Sequence, residues 1–417
     1  MLNRSNPFNP RLLRRASGLA PLLMVCGALA LSACGGGGSS DGATATPAGT
    51  TGASAFAAGP ITGFGSVILG GVRFDDSKAS ISDDDGVAHR SDELRLGMMA
   101  EIESAGITRD TAGARGVASE IRFGSEIVGP VNAIAADRGS IVVLGETVQI
   151  NSATLFDDSL VGGLKALVAG TSIVEVHAAL DVATGVYVAT RIEPKPNAPF
   201  FKLRGAVAGI DKTAHTLRIG NGTETVSYDA IASSVPAALD NGMLVRVRLQ
   251  TTPVAGRWIA VAIVSAVRKL ENHAEAEIEG KVTASTFAAD KKFSVNGIAV
   301  DATNATFPGG TAGIVVGARV EVKGSAVGGV VVATTVKVEN EREHEAAGFE
   351  LHGAISALDT TAKIFMLRGV KVGYSSGTVE FRKGTAADLV NGKKVEVEGL
   401  RSADGSTLDA TRISFED

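Results

Sequence analysis

One short pattern recurs along this chain and limits its fold more than any other feature. It is a Leu or Ile, two residues, a Gly, and then a strand of alternating apolar and charged side chains. The copies run from Leu94–Gly97 into Ala100-Glu101-Ile102, and from Leu167–Gly170 into Val174-Glu175-Val176. Three more run from Leu239–Gly242 into Val245-Arg246-Val247, from Ile314–Gly317 into Val320-Glu321-Val322, and from Leu389–Gly392 into Val395-Glu396-Val397. The glycines lie 73, 72, 75 and 75 residues apart. In a chain of 417 residues that period predicts five small units rather than two or three large ones.

Other features keep step with this pattern. Each unit opens on a Gly two residues before an apolar position: Gly59 and Ile61, Gly129 and Val131, Gly205 and Val207, Gly280 and Val282, Gly353 and Ile355. A hairpin follows, with turns placed at Gly70-Gly71, Gly145-Glu146, Gly220 to Thr223, Asn296-Gly297 and Arg368-Gly369, where Gly and Asn supply positive φ. A last strand closes each unit, as in Ala189 to Ile192 and Ala410 to Ile413. The Leu reads as the end of a short helix or turn that plugs a barrel, and the Gly as a left-handed terminator. The Val-x-Val alternation puts Val320 and Val322 inside and Glu321 in solvent. Unit two departs from this by one residue, since Val174 stands four residues after Gly170 where the other copies have three, which predicts a bulge or insertion near Ser172. Short strands with one plug per unit suit small closed barrels, which leave no open edge. An immunoglobulin-like sandwich is the architectural rival, and the period is too long for propeller blades.

The N-terminus reads as an address. Arg4, Arg11, Arg14 and Arg15 precede an apolar run from Leu19 to Leu31, too short to span a bilayer and suited to a signal peptide. Leu31-Ser32-Ala33-Cys34 resembles the lipobox of bacterial lipoproteins, and that resemblance implies lipidation of Cys34 and, with Gly35 next, the outer membrane. Residues 1–33 are therefore expected to be a signal peptide, and residues 34–58 a lipidated Cys with a flexible Gly/Ser/Thr/Ala tether. Barrels are expected at 59–125, 126–195, 200–270, 276–340 and 349–417. On compact-domain scaling, five in a loose row would reach on the order of 100 Å, with some packing between units of this marginal size.

The opening from Gly63 to Phe74 (Gly-Phe-Gly-Ser-Val-Ile-Leu-Gly-Gly-Val-Arg-Phe), with the later Leu94-Arg-Leu-Gly97-Met-Met, resembles the repeat known as domain of unknown function 5666. The resemblance covers residues 59 to 417, closest in unit one and weaker in unit two. It implies an all-β chain of five tandem OB-like barrels on a bacterial envelope lipoprotein. It brings no substrate and no catalytic residue.

Nothing in the sequence specifies a biochemical activity. The net charge of −5 becomes −9 once the four arginines of residues 1–33 are removed, which disfavours nucleic acid as a partner. The two cysteines, Cys26 and Cys34, lie in the export region, so no disulfide framework is expected. Asp83-Asp84-Asp85-Gly86 lacks calcium-loop spacing and reads as a polar turn. Gly63 to Ser66 fits neither a dinucleotide fingerprint nor a nucleophile elbow.

Two constellations remain. Residues 202–269 carry nine Lys and Arg against four acids, with Arg204, Arg218, Arg246, Arg248 and the lone Trp258 as a candidate face for an anionic polysaccharide. The competing reading packs Trp258 in the core and pairs the arginines with the adjacent acidic connector. The connectors before units four and five hold His273, and His344-Glu345 with His352, which suit a weak divalent-metal site or a solvated charged spacer. His89, His177 and His215 are isolated. With no nucleophile or acid–base pair to assemble, a non-enzymatic envelope lipoprotein without cofactor is expected. Its partners would be the membrane, through the anchor, and an anionic glycan or other envelope component.

Overall fold

Strand pairing closes small rings along the chain. The computed structural model describes residues 54–416, apart from residues 112, 268, 341–347 and 403–404. Cys34, His344 and Glu345 lie outside the described residues.

The circuit is clearest between residues 127 and 194. Ile127–Ile134 pairs antiparallel with Ser140–Val143, which pairs antiparallel with Glu146–Gln149. Glu146–Gln149 runs parallel to Val186–Pro194, which pairs antiparallel with Ile173–Asp181. Ile173–Asp181 returns antiparallel to Ile127–Ile134. The order 1-2-3-5-4-1 is that of a small OB-like barrel. The same circuit is made by Phe201–Asp211, Thr216–Ile219, Val226–Ser227, Leu244–Leu249 and Trp258–Ser265. It recurs in His273–Ser285, Lys292–Val295, Ile298–Asp301, Arg319–Val327 and Val330–Val338. It recurs again in Phe349–Asp359, Ile364–Leu367, Val370–Gly373, Lys394–Arg401 and Leu408–Phe415. Between residues 55 and 124 the first strand is broken into Ala55–Pro60 and Gly63–Phe64, and the last two are long, Met99–Asp110 and Gly113–Gly124.

The recurring Leu-x-x-Gly fixes the crossing between third and fourth strands. Leu94, Leu167, Leu239, Ile314 and Leu389 are all buried. Leu94, Leu167 and Leu389 each cap a single 3₁₀ turn. Gly97, Gly170, Gly242, Gly317 and Gly392 take φ between 77° and 88°, a left-handed conformation that costs Gly least. That bend aims each glycine N–H at the opening apolar residue of its own ring. Gly97 donates to the Ile61 carbonyl (2.8 Å), Gly170 to Val131 (2.8 Å), Gly242 to Val207 (2.8 Å), Gly317 to Val282 (2.9 Å) and Gly392 to Ile355 (2.8 Å). The return bond lands one residue after the glycine in four cases, as Val282 N–H to Ala318. In the second ring it lands on Ser172, two residues after, so the expected extra residue lies at this point. The hairpin turn of that ring is Leu144-Gly145, both with positive φ, rather than Gly145-Glu146.

The rings are knitted together rather than strung loosely. Ala55–Pro60 pairs antiparallel with Met99–Asp110 in its own ring and parallel with His273–Ser285 in the fourth. Residues 55–58, expected as tether, are therefore buried strand, and the acidic connector before unit four is itself barrel strand from His273. Gly63–Phe64 pairs with Glu350 and Leu351, and the first and fifth rings share one apolar core. The second and third rings share another.

Glu146 lies in the seam between the second and third rings, only 2% exposed. A Cβ on Gly222 would collide with its carboxylate, so this turn needs glycine to close over it. Its Oε2 has no hydrogen-bond partner among the described residues, and burial pushes its pKa up from about 4.5 to about 8. Between those values the fold holds a proton that the unfolded chain has released. The stability contributed below pH about 4.5 is therefore lost as pH rises to about 8, and stays lost above. Glu146→Gln is expected to remove up to about 1.4 kcal/mol per pH unit of that slope. Urea midpoints of both proteins across this range check it, and parallel slopes would contradict the assignment.

Candidate functional site

Four cations form a block on the outer face of the third ring. Arg246 and Arg248 alternate on Leu244–Leu249 and so share a face. In the antiparallel register Lys202 stands opposite Arg248, and Arg204 opposite Arg246. Like charges directly opposite repel, so the block requires carboxylates, and the first ring supplies most of them. Asp84 accepts from Lys202 (2.6 Å) and pairs with Arg246 (3.0 Å), while Asp85 pairs with Arg248 (2.6 Å). Asp83 holds that turn in shape by accepting the N–H groups of Asp85 (2.9 Å) and Val87 (2.8 Å). The polar turn of the sequence is thus an acidic plug on a basic face 118 to 163 residues away.

Arg204 pairs with Glu126 (2.8 Å) and also donates to the carbonyls of Ala266 and Asn296. Burial raises the Glu126 pKa, and Arg204 opposes the shift; Glu126 in turn raises that of Arg204. Glu126 Oε2 and the Ser125 hydroxyl are buried without hydrogen-bond partners among the described residues.

Beside this network is a cavity of about 290 Å³ where the first, third and fourth rings meet. Asp84, Glu101, Arg122, Glu126, Arg204 and Arg246 give it polar walls, and Met99, Ile278 and Val295 apolar ones. Arg122 is half-buried on Gly113–Gly124, and no ion pair engages it among the described residues.

The five residues picked out on the basic unit part company here. Arg204 and Arg246 line the cavity. Arg248 is held by Asp85 and stacks 4.5 Å over the Phe200 ring. Trp258 is no platform: it is 7% exposed, edge-on to Phe201, with its indole N–H donated to Glu224 (3.1 Å). Arg218 is exposed on the Thr216–Ile219 hairpin strand, outside the cavity lining. Sequence reasoning missed Arg122 and Glu126, whose roles depend on which rings touch.

The histidines separate as well. His273 is buried against the Phe56 ring (5.8 Å) and takes no part in a cluster with His352. His352 instead meets Glu350, Glu396 and Glu416. Its Nε2 lies 2.6 Å from Glu350 and 3.7 Å from Glu396, and its Nδ1 lies 2.8 Å from Glu416. The hydrogen bond to Glu350 leads the causes that raise the His352 pKa.

Three segments, residues 128–193, 279–337 and 352–414, match the model of the family described as Domain of unknown function (DUF5666). They coincide with the second, fourth and fifth rings. The opening at Gly63 to Phe74 lies outside the matched segments, where the first strand is broken and the last two strands are long. No curated protein matches the chain.

Proposed function

We propose that this DUF5666-like repeat protein is a non-enzymatic binding module of the cell envelope, held to the membrane through Cys34, with its ligand seated in the cavity between the first, third and fourth rings. The observation that carries the binding site is Arg122. A half-buried guanidinium with no ion pair among the described residues, on the wall of a cavity, suits an anionic group. Inside the second, third and fourth barrels, Val174, Val176, Val245, Val247, Val320 and Val322 are packed at 0% exposure. At about 290 Å³ the cavity is at the small end of ligand pockets, so it fits a terminal sugar acid or a phosphorylated headgroup rather than a polymer's length.

Uronic-acid oligosaccharides and phosphorylated sugar headgroups, presented to the purified chain by calorimetry, test this. Binding is expected with one of these classes, lost in Arg122→Gln while the melting temperature is held, since a neutral side chain opposite Glu101 adds no like-charge pair. Binding indifferent to that change would remove the cavity as the site, and turnover in a hydrolase screen would remove the non-enzymatic reading.

The anchor rests on the Leu31 to Cys34 motif and the basic, apolar leader before it. No helix of the described residues is long and apolar enough to cross a membrane. Cys34→Ser is expected to move the protein from the membrane to the soluble fraction. Retention at the membrane would contradict lipid anchoring.

A further inference from the structure

The fifth ring carries a second polar centre, independent of the cavity. Glu350 and His352 lie two residues apart on Phe349–Asp359 and so project from one face. Glu396 stands directly opposite His352 in the antiparallel register. One ligand atom from each of the three falls within 4.8 Å of the others. The glycines of Gly63-Phe-Gly65 let the first ring close over this centre: a Cβ on Gly65 would collide with His352, and one on Gly63 with the Glu350 carbonyl.

Two features set this centre apart from an ordinary charged surface. The first is that Glu416 holds the Nδ1 side of His352 at 2.8 Å, which fixes the ring and turns Nε2 toward Glu350 and Glu396. Carboxylate, imidazole and an outward Nε2 among further carboxylates are the outer and inner shells of a protein metal site. The second is a conflict at Nε2. The Arg73 guanidinium, a donor only, stands 2.9 Å from it, while the Glu350 carboxylate, an acceptor only, stands 2.6 Å away. One ring nitrogen offers either a lone pair or a proton and satisfies one neighbour at a time. A metal cation takes the lone pair and both carboxylates together. The Arg73 side chain is 32% exposed, so it has a path to solvent.

We propose that Glu350, His352 and Glu396 bind a divalent transition-metal cation of the Zn²⁺ type, with Glu416 positioning the imidazole and Arg73 competing for the same ligands. One nitrogen with two or more carboxylate oxygens suits Zn²⁺ and its neighbours, whereas Ca²⁺ and Mg²⁺ take oxygen ligands. Loading exchanges the Arg73–Glu350 ion pair, which joins the first and fifth rings, for coordination within the fifth.

Titration of the purified full chain with Zn²⁺, against a chromophoric chelator, is expected to give one ion per chain that Ca²⁺ and Mg²⁺ do not displace. His352→Ala and Glu396→Gln are each expected to weaken binding at least roughly tenfold, and Glu416→Gln by about ten- to hundredfold. Arg73→Gln is expected to tighten it by roughly tenfold, because a competing positive charge is gone. A gain of affinity cannot come from misfolding, so this variant guards against loss of structure in the others. Co²⁺ in place of Zn²⁺ should show visible absorption that changes in His352→Ala. An unbound chain, an ion indifferent to His352→Ala and Glu396→Gln, or weaker binding in Arg73→Gln would each overturn the proposal.

Discussion

Phe56→Ala is expected to lower stability by about 3–5 kcal/mol, the usual cost of truncating a buried aromatic. The damage is expected in a ring other than the one its neighbours in sequence build. Phe56 is 0% exposed on Ala55–Pro60, and alternation along that strand serves two cores at once. Phe56 and Ala58 join the core of the fourth ring, with Ile278 and Val320. Ala57 joins the core of the first, with Val67 and Ile102. Hydrogen exchange of the variant should rise in His273–Ser285 as much as in Met99–Asp110, alongside a lower urea midpoint. A loss below about 1 kcal/mol, or faster exchange confined to residues 99–124, would contradict the shared strand.

Tyr187→Ala is expected to cost a similar 3–5 kcal/mol and to loosen the second ring from the third. Tyr187 is fully buried, and its hydroxyl crosses the seam to donate to the Arg204 carbonyl at 2.7 Å. The neighbouring Gly205 makes room for it, since a Cβ there would stand 2.6 Å from the tyrosine oxygen. Burial raises the phenol's pKa well above 10, so the group remains a donor across the working range. Tyr187→Phe removes only the hydrogen bond to the Arg204 carbonyl, at about 1 kcal/mol. Gly205→Ala should also destabilise, by overpacking. Denaturation of Tyr187→Ala should show separate transitions for residues 127–194 and 201–265. A single transition at the native midpoint would remove Tyr187 as the seam's anchor.

The parts of this structure legible in the sequence are those fixed within one ring. Leu389 and Gly392, or Val320 and Val322, are set by local turn geometry and by the period of a half-buried strand, both of which leave a trace in order and spacing. Even the extra residue before Ile173 was visible as a break in that period. Contacts between rings leave no such trace. Ala55 to Ala58 are buried on both faces, so they show no alternation and read as more of the small-residue tether. The pairing of Asp84 and Asp85 with Lys202, Arg246 and Arg248 spans more than 110 residues, and neither end carries a mark of the other. The His352 centre takes Glu396 from the solvent-facing middle of a Val-x-Val strand, Glu416 from the last strand's end and Arg73 from another ring. Only the strand register brings them together.

The first and fourth rings share a strand interface, which a disulfide trap tests most directly. Ala55 and Glu275 are partners in the parallel pairing of Ala55–Pro60 with His273–Ser285. Adjacent strands lie about 5 Å apart, within disulfide range. With Cys26 and Cys34 replaced by Ser, the double variant Ala55→Cys/Glu275→Cys should form an internal disulfide under mild oxidation. It should do so as completely as Glu101→Cys/Arg122→Cys, a pair within one ring. A control pair that closes while Ala55→Cys/Glu275→Cys stays reduced would contradict the interlocked fold and restore a loose string of barrels.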